Sequence, residues 1–470
     1  MVIFDYLVVG NGAIGTLSAI QLKKRYPMAN IGLVGDANRV NGASVAAGAM
    51  CNVFAEVEYP FSDNHKKLID LSLWYGILGR EGWLDLFSTG VEFQSLKTAT
   101  DTMVFLKPDA SDFEQKNYRS AKEVAAANEV MQNVTVGGIG NLFKNAETLP
   151  LDAFKIDGEF AIDTRELFRI LNKWCTELGI KILNQIIVEI DTSKSVVITE
   201  TSKINYDRLV VALGANSSAL LPKGTIQSVI QGVGTAIEIR EKVWGGNFTP
   251  EGNLVIRTVN RGGAQCGFHF VPRRSGYYLG AGNYIMSTGN SDHRLETIRY
   301  LFNTFEKEVC GSDFSYLLEG NLVKGHRPRA LDGFPLIGPL KAFPNIFIAS
   351  GTNRAGLTWA PKIANQVITW SNGEVEDFEF SPLVNPNRVE IDFGSEEEAI
   401  NYYCESRIAA ALEHQKIQGS DKSIKLERLR VREYAQKLLA DVRIANSDLL
   451  SVPHPDHWAL IVEKPSICHV

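Results

Sequence analysis

Ile3-Phe-Asp-Tyr-Leu-Val-Val9-Gly10-Asn-Gly12-Ala-Ile-Gly15, near the N-terminus, is the stretch that decides the fold of this chain. A short apolar run leads into three spaced glycines, and a helix-like stretch follows to about Tyr26. A second apolar run, Ile31 to Val34, ends at Gly35-Asp36. Glycines at this spacing permit a tight turn, let the backbone approach a pyrophosphate, and let helix and strand pack closely. The order strand, glycine turn, helix, strand and acid therefore predicts a βαβ unit that binds a dinucleotide.

The predicted turn also indicates which residues would contact the dinucleotide. Its phosphates would lie at the helix N-terminus, where unpaired N–H groups and the helix dipole favour an anion. Asp36, the acid that follows the second strand, is the expected ribose ligand. The glycine pattern by itself does not separate FAD from NAD. The expected phosphate contacts are Gly10, Gly12, Ala13, Ile14 and Gly15.

Charge and hydropathy narrow the function classes. The chain of 470 residues has a net charge of −6 and no long basic run, which argues against nucleic acid and anionic membranes as partners. Its longest apolar stretches fall short of the roughly 20 residues that a membrane span needs. The N-terminus also lacks the basic region and small-residue cleavage site of a signal peptide. We therefore expect a soluble, cytoplasmic protein.

Cysteines and histidines give no sign of a metal site. The 6 cysteines are scattered without a CxxC pair, so neither a zinc site nor a disulfide framework is expected. The histidines form one cluster, His454-Pro-Asp-His457, which we interpret as a surface loop.

A segment of small residues, Asn41-Gly-Ala-Ser44-Val-Ala-Ala-Gly48-Ala-Met50, follows the second strand almost at once. Its small side chains would let the backbone lie against a flat ring, and Ser44 can hydrogen-bond a phosphate or the ring. On composition alone, the same segment could be only a small-residue turn.

Two later segments extend the pattern. One is Gly325-His-Arg327-Pro-Arg-Ala-Leu-Asp332-Gly-Phe-Pro335-Leu-Ile-Gly338, and the other runs from Asn345 through Gly351-Thr-Asn-Arg354-Ala-Gly356-Leu-Thr358. Together with the glycine turn and the 41–50 segment, they resemble the D-amino-acid-oxidase-like family of FAD-dependent amine and amino-acid oxidoreductases. The resemblance covers residues 4–375, and the glycine-oxidase and sarcosine-oxidase branch is the most similar.

The resemblance implies FAD as the cofactor, with the 41–50 segment beneath the flavin. The family usually has Glu directly after the second strand, where this chain has Gly35 and then Asp36. Some relatives tether the flavin through a cysteine just before the Leu-Asp-Gly segment. This chain has no cysteine between Cys310 and Cys404, so we expect noncovalent FAD. The further cofactor contacts implied are Ala43, Ser44, Ala47, Gly48, Met50, Val188, Gly214, Gly351, Arg354, Ala355, Gly356, Leu357 and Thr358.

The resemblance also implies substrate-binding and catalytic residues. Arg327 would hold a substrate carboxylate through its fork of N–H donors, although a surface arginine paired with Asp332 is the alternative. Arg354 matches a second active-site position. His269 stands where relatives carry a tyrosine over the substrate, or is a strand histidine whose hydrogen bonds are satisfied within the fold. Three aromatic residues could form the pocket wall or belong to the core: Tyr278, Tyr284 and Trp359.

The expected fold class is α/β (α+β), with a Rossmann-type FAD-binding domain, an antiparallel-sheet substrate domain and a C-terminal helical extension. In the extension, Ser395-Glu-Glu-Glu398 is a capping box, and two apolar stripes predict two amphipathic helices. These helices would lie at an interface such as that of a homo-oligomer, over the substrate entrance, or simply on their own body. The expected ranges are 1–90, 150–225 and 321–380 for the FAD-binding domain, 91–149 and 226–320 for the substrate domain, and 381–470 for the extension.

The function implied is oxidation of an amine or amino acid to an imine, by transfer of a hydride from the carbon beside a neutral amine to flavin N5. A helix N-terminus after Gly351 would stabilise the negative charge that develops on the ring. Molecular oxygen is the expected acceptor and would give hydrogen peroxide. The alternatives are a dehydrogenase that passes electrons to a quinone or carrier protein, and a noncatalytic FAD-binding assembly subunit.

Overall fold

A computed structural model describes residues 3–134, 146–241, 253–262, 266–286, 292–310, 318–374, 376–413, 417, 421–445 and 451–464. The strands are β1 Ile3–Val9, β2 Ile31–Gly35, β3 Lys97–Leu106, β4 Met131–Asn133, β5 Asp152–Ile162, β6 Lys181–Asn184, β7 Ile187–Asp191, β8 Val196–Thr199, β9 Lys203–Val211, β10 Val229–Glu241, β11 Leu254–Arg257, β12 His269–Arg273, β13 Gly276–Gly280, β14 Tyr284–Met286, β15 Leu318–Ala330, β16 Leu336–Pro339 and β17 Ile346–Ser350.

The helices lie between and around these strands, and none in the described ranges is long and apolar enough to cross a membrane. They are α1 Ala13–Arg25, α2 Ala43–Ala46, α3 Asp63–Ser88, α4 Val91–Gln94, α5 Asp112–Ala127, α6 Thr164–Glu177, α7 Ser217–Leu220, α8 Leu295–Phe305, α9 Gly356–Ser371, α10 Ser381–Val384, α11 Glu396–Glu413, α12 Asp421–Ala445 and α13 Trp458–Glu463.

The first sheet has eight strands, and β1 lies inside it in the order β16-β17-β9-β1-β2-β6, with β8 also paired to β9 and β7 paired to β8. β1 pairs in parallel with β2 and with β9. Leu7, Val8 and Val9 of β1 are fully buried, as expected where a parallel sheet is covered on both faces. The βαβ unit predicted from the N-terminal sequence is confirmed.

The second sheet has nine strands in the order β14-β10-β13-β12-β11-β3-β5-β4, with β15 also paired to β10. Its pairings are antiparallel except for β11 with β3. The antiparallel sheet expected for the substrate domain is therefore present.

The strand pairing departs from the expected domain ranges in two places. β5 and β15 lie largely within ranges expected in the FAD-binding domain, but both belong to the second sheet. β15 pairs with β10 along its whole length, while His326 near its end forms a bridge to Gly42 beside the first sheet. The strand with which β15 pairs is decided by contacts distant in sequence. The sequence pattern of β15 alone therefore could not predict which sheet it joins.

The C-terminal extension forms the two expected helices, α11 and α12, and packs on the body of the chain. At the start of α11, the Ser395 N–H donates to the Glu398 carboxylate at 2.8 Å and the Glu398 N–H donates to Ser395 Oγ at 3.3 Å. This confirms the capping box. Tyr402 of α11 and Trp458 of α13 share an apolar cluster with Phe113 of α5.

The prediction that His454–His457 forms a surface loop is wrong. The exposed fraction of His454 is 3% and that of His457 is 0%. Arg329 lies 3.0 Å from His454 Nε2, and His457 Nδ1 donates to the Leu331 carbonyl at 2.7 Å. Because these partners come from a distant part of the chain, the burial of the two rings could not be seen in the local sequence.

Candidate active site

A cavity of about 510 Å³ lies where β1 and β2 end, and we call it the dinucleotide cavity. Its wall includes residues 10–14 of the glycine turn, residues 35–36 and 39–47, residues 185–187, residues 212–216 after β9 and the 325–328 part of β15. Ligands of open parallel sheets bind at this edge, outside the carboxyl ends of the strands. The position agrees with the prediction made from the glycine turn.

The three glycines of the turn have different surroundings. Gly10 has a φ of +102°, and a Cβ there would meet the Ala212 carbonyl oxygen at 2.2 Å. A Cβ at Gly15 would meet the Gly10 carbonyl oxygen at 1.8 Å, so this glycine allows α1 to approach the turn. Gly12 lines the cavity, and a Cβ there would have only the Ser44 side chain within 4 Å. Gly12 is therefore the glycine whose missing side chain leaves room for a ligand.

The small-residue segment, residues 41–50, lines two adjoining cavities. Ser44 Oγ accepts a hydrogen bond from the Ala13 N–H at 3.2 Å, which places Ser44 at the N-terminus of α1. Ala13 and Ile14 line the dinucleotide cavity, as do Ala43 and Ala47. Gly48 and Met50 line a second, adjoining cavity instead.

The expected ribose ligand lies directly after the strand. β2 continues to Gly35, where a Cβ would meet the Asn11 side chain at 2.5 Å. Asp36 lines the dinucleotide cavity, and its carboxylate accepts backbone N–H groups of Asn38 and Val40, both at 3.0 Å. Asn11 occupies the space that a side chain at position 35 would need. The acid therefore follows one residue later, at Asp36.

Three features of this cavity differ from the expectations, and the first is that Gly15 is not part of its wall. The Val188 side chain is 53% exposed and lies outside the cavity wall, which Gln185, Ile186 and Ile187 form instead. Gln185 and Ile186 lie between β6 and β7, so the cavity wall meets this part of the chain where β7 begins. Arg39 was missed; it lines the cavity, and its Nε donates to the Asn11 carbonyl at 2.9 Å.

The N-terminus of α9 lies between the two cavities. Gly351 has a φ of +74°, and the loop after it leads to Ala355, which caps α9 without a side-chain hydrogen bond. The first N–H groups of a helix lack partners inside the helix and can bind an anion. The other expected cofactor contacts also line one or both cavities: Gly214, Arg354, Gly356, Leu357 and Thr358.

The second cavity, of about 210 Å³, adjoins the first, and we call it the inner cavity. Both are lined by Ala47, Tyr278, Arg327, Arg354 and Leu357. A molecule bound in the dinucleotide cavity would therefore meet a molecule bound in the inner cavity at these residues.

Arg327 of β15 lies at this junction. Its Nη1 donates to the Gly282 carbonyl at 3.2 Å, and a Cβ at Gly234 would meet its Nη2 at 2.5 Å. The alternative pairing with Asp332 does not occur, because Asp332 is bound by Arg388 at 2.8 Å. Of the three arginines in the inner cavity wall, Arg327 alone has no carboxylate partner among the described residues.

Arg354 is instead held by two carboxylates that the sequence reasoning missed. Its Nη2 lies 3.1 Å from Glu56 and 3.0 Å from Glu58. Glu56 also pairs with the buried Arg257. Burial opposes ionisation of Glu56, but Arg257 and Arg354 outweigh it and lower its pKa to about 2. The sequence offered only a weak signal, two acids within the mainly apolar 51–59 segment.

His269 of β12 lies in the inner cavity wall beside Tyr278, with the two rings stacked at 5.8 Å. Burial, reinforced by Arg257, holds the pKa of His269 well below its ordinary value, so the ring is neutral at pH 7. Its Nδ1 is buried and has no hydrogen-bond partner among the described residues. The imidazole is thus not satisfied within the fold, and a ligand could satisfy it.

The aromatic residues separate into wall and core. Tyr278 lines both cavities and its hydroxyl donates to the Ala46 carbonyl at 2.9 Å. Trp359 lines the inner cavity and stacks on Tyr75. Tyr284 lies outside both walls, with its hydroxyl donating to the Asp292 carbonyl at 3.1 Å.

Comparison with known proteins explains this arrangement. Residues 5–370 match the family described as DAO, FAD dependent oxidoreductase. The chain belongs to this family. It is therefore an FAD-dependent oxidoreductase, and the resemblance inferred from the motifs is confirmed. No curated protein matches the sequence significantly.

Solved structures of the same fold agree with the family assignment. Glycine oxidase from Geobacillus kaustophilus superposes with a TM-score of 0.66 at 19% identity, covering 82% of this chain and 99% of its own. Iminodiacetate oxidase from Chelativorans sp. BNC1 gives 0.62 at 16% identity, covering 81% and 98%. L-α-glycerophosphate oxidase from Mycoplasma pneumoniae, solved with FAD bound, gives 0.63 at 17% identity, covering 83% and 99%.

The geometry of this DAO-family chain fits FAD. The open side of Gly12, the N-terminus of α1 and the acid at Asp36 form a cradle for the phosphates and ribose of a dinucleotide. Ala47 and Leu357 of α9 line both cavities, so a flat ring bound across the junction would meet the small-residue segment and the first turn of α9. The 41–50 segment lines both cavities, from Asn41 in the dinucleotide cavity to Met50 in the inner cavity.

Proposed function

We propose that this FAD-dependent oxidoreductase oxidises the C–N bond of an amine or amino acid that carries one carboxylate, giving an imine. The bound flavin supplies the chemistry by accepting a hydride at N5. The observation that carries the proposal is Arg327, a half-buried guanidinium at the junction of the two cavities that has no carboxylate partner among the residues the structure describes. In this proposal Arg327 binds the substrate carboxylate.

The charges of the inner cavity support a single carboxylate. A carboxylate entering this wall needs a paired donor, since an unpaired buried charge is costly. Arg329 and Arg354 already pair with protein carboxylates, whereas Arg327 presents its fork of N–H donors. Arg354 therefore acts as a counter-ion for Glu56 and Glu58 in this proposal, and not as a second substrate anchor.

The remaining groups orient the reacting end. Neutral His269 offers the substrate amine a hydrogen bond from the inner cavity wall without adding a charge. The Tyr278 ring, held in place by the hydrogen bond from its hydroxyl to the Ala46 carbonyl, stacks on the His269 ring and fixes its orientation. The first turn of α9 lies at the junction, where its N–H groups would stabilise the negative charge that a bound flavin gains on accepting the hydride. No side-chain base is required if the amine arrives neutral.

The direct test is flavin reduction. Under anaerobic conditions the yellow protein is mixed with primary, secondary and N-methyl amino acids and with their decarboxylated amines, and the loss of flavin absorbance is followed. We expect reduction by amino acids and much slower reduction by the amines. Reduction by hydroxy acids or alcohols alone would overturn the C–N assignment, and a flavin that no substrate reduces would favour an assembly subunit.

We propose O2 as the electron acceptor. Admitting air to the reduced protein should regenerate the oxidised spectrum and release one hydrogen peroxide per amine consumed. Reoxidation only by quinones or an electron-carrier protein would instead identify a dehydrogenase.

We propose that the FAD is noncovalent. A cysteine tether before the Leu331-Asp-Gly segment is not available in the sequence, although Cys266 lines the inner cavity. Acid or heat should release the flavin into the supernatant. Flavin that precipitates with the polypeptide would overturn this point, and peptide mapping would show whether Cys266 carries it.

A further inference from the structure

Three side chains of the C-terminal extension form part of the inner cavity wall: Tyr402, His454 and Asp456. They come from α11 and from the segment just before α13. The family match ends at residue 370, and glycine oxidase from Geobacillus kaustophilus is covered over 99% of its own length by 82% of this chain. These three residues therefore lie outside the part of the chain that matches the family.

The extension is fixed firmly at this place. Asp456 pairs with Arg329 of β15 at 3.0 Å, and the same guanidinium lies 3.0 Å from His454 Nε2. The Tyr402 ring meets the rings of His65 and His454 edge to face, with centroids at 5.5 and 5.4 Å. Tyr402 is thus held by α3 on one side and by the 451–464 segment on the other.

The charges at this end of the cavity are already balanced. Arg329 is paired with Asp456, and Glu58 is paired with Arg354. Burial lowers the pKa of His65 and holds that of His454 well below its ordinary value, so both rings are neutral. A charged group of a substrate would find no unpaired partner among these residues.

The Tyr402 hydroxyl, in contrast, is available to hydrogen-bond a ligand. It makes no hydrogen bond to another residue in the described part of the chain. Burial raises the pKa of Tyr402 well above its ordinary value, so the hydroxyl keeps its proton and can donate a hydrogen bond. A donor in a cavity wall that has no partner within the protein is a place where a ligand acceptor is favoured.

We propose that Tyr402 is a specificity-determining residue, whose hydroxyl donates a hydrogen bond to an uncharged polar acceptor on the distal part of the substrate. This inference rests on the proposed function, because it takes the substrate carboxylate to be bound by Arg327. The substrate class is then an amino acid or N-substituted amino acid with an amide or hydroxyl in its side chain.

The test compares Tyr402→Phe with the matched control Tyr403→Phe in the full-length, FAD-loaded protein. Tyr403 is the next residue of α11, but it stacks on Trp458 at 5.5 Å and is not part of the cavity wall. The ligands are two unreactive acids of the same shape, succinamate and 4-methylpentanoate, which differ in their terminal amide. Binding is read from the perturbation of the flavin absorbance.

We expect Tyr402→Phe to weaken succinamate binding by roughly 3–10-fold, the effect of one hydrogen bond, and to leave 4-methylpentanoate binding within about twofold. Tyr403→Phe should change neither. Unchanged succinamate binding, or equal losses for both acids, would overturn the proposal, the second because it would show a merely structural role. Amine oxidation is measured separately, so its absence would overturn the proposed function while selective loss of succinamate still supported Tyr402.

Discussion

The dinucleotide cavity and the inner cavity adjoin each other but are lined by different kinds of groups. The first is lined largely by backbone, glycines and alanines that follow β1, β2 and β9 within short stretches of sequence. The second is lined by charged and aromatic side chains from distant places, such as Glu56, Arg327, Arg354 and Asp456.

This difference follows from what each cavity must bind. Phosphates and a flat ring need free N–H groups and space, which a helix N-terminus and small residues supply. A cavity for a charged substrate needs ionised groups that are each paired, because a lone buried charge is costly. Substitutions in the dinucleotide cavity should therefore affect binding by filling the space for the ligand. Substitutions in the inner cavity should affect binding by changing the pairing of charges.

The largest effect is expected from filling the dinucleotide cavity. Gly12→Val should abolish flavin binding, because its branched side chain would occupy the open side of the turn, already limited by Ser44 Oγ at 3.1 Å from the added Cβ. Flavin content per chain is the measurement. Gly90→Val is the matched control, since nothing lies within 4 Å of a Cβ there. A folded, fully yellow Gly12→Val protein would contradict the assignment of this cavity.

In the inner cavity, Arg327→Lys keeps a charge but loses the fork of donors. We expect kcat/KM for an amino acid to fall by roughly 10–1000-fold, with flavin content unchanged. The decarboxylated amine is the internal control and should lose far less. Equal losses for the amino acid and the amine would mean that Arg327 is structural, or that the true substrate has no carboxylate.

His457, a buried histidine, should make the free energy of unfolding depend on pH. Burial, reinforced by Arg329, lowers the pKa of His457 to about 3. The unfolded chain takes up a proton near the ordinary histidine pKa of about 6.5, so the contribution of His457 to stability is lost as pH falls from there towards 3. At pH 5 the loss is about 2 kcal/mol.

His457→Gln should remove that dependence while keeping an N–H donor for the Leu331 carbonyl. Urea unfolding at pH 7 and pH 5 should therefore show a smaller drop in the free energy of unfolding for the variant than for the wild type. His293→Gln, at a half-buried position, should change the drop less. An identical drop in the wild type and His457→Gln would show that His457 is protonated in the folded protein.

The smallest effect should come from Asp36→Asn. This variant keeps an acceptor for the Asn38 N–H but weakens the interaction with a ribose hydroxyl. We expect the Kd for FAD to rise by roughly 2–10-fold, with flavin reduction unchanged once FAD is saturating. Asp5→Asn, on β1 outside the cavity wall, is the control. No change in Kd would remove Asp36 as the ribose ligand.

Parts of the site could be predicted because they depend on local backbone. The turn at Gly10–Gly15, the strand end before Asp36 and the start of α9 after Gly351 are each formed within a few residues, and the structure places them as expected. Val188 lies outside the cavity wall, next to Ile187, because the path of the chain between β6 and β7 is set by contacts that the local sequence does not show.

The sequence by itself determined the βαβ unit, the family and FAD, because glycine spacing and strand–helix order report backbone geometry directly. Only the tertiary structure decided the charges of the inner cavity. It paired Arg354 with Glu56 and Glu58, left Arg327 without a carboxylate partner among the described residues, and buried His454 and Asp456 against Arg329. Ion pairing depends on distances of a few ångströms between residues far apart in the chain, and no local pattern encodes those distances.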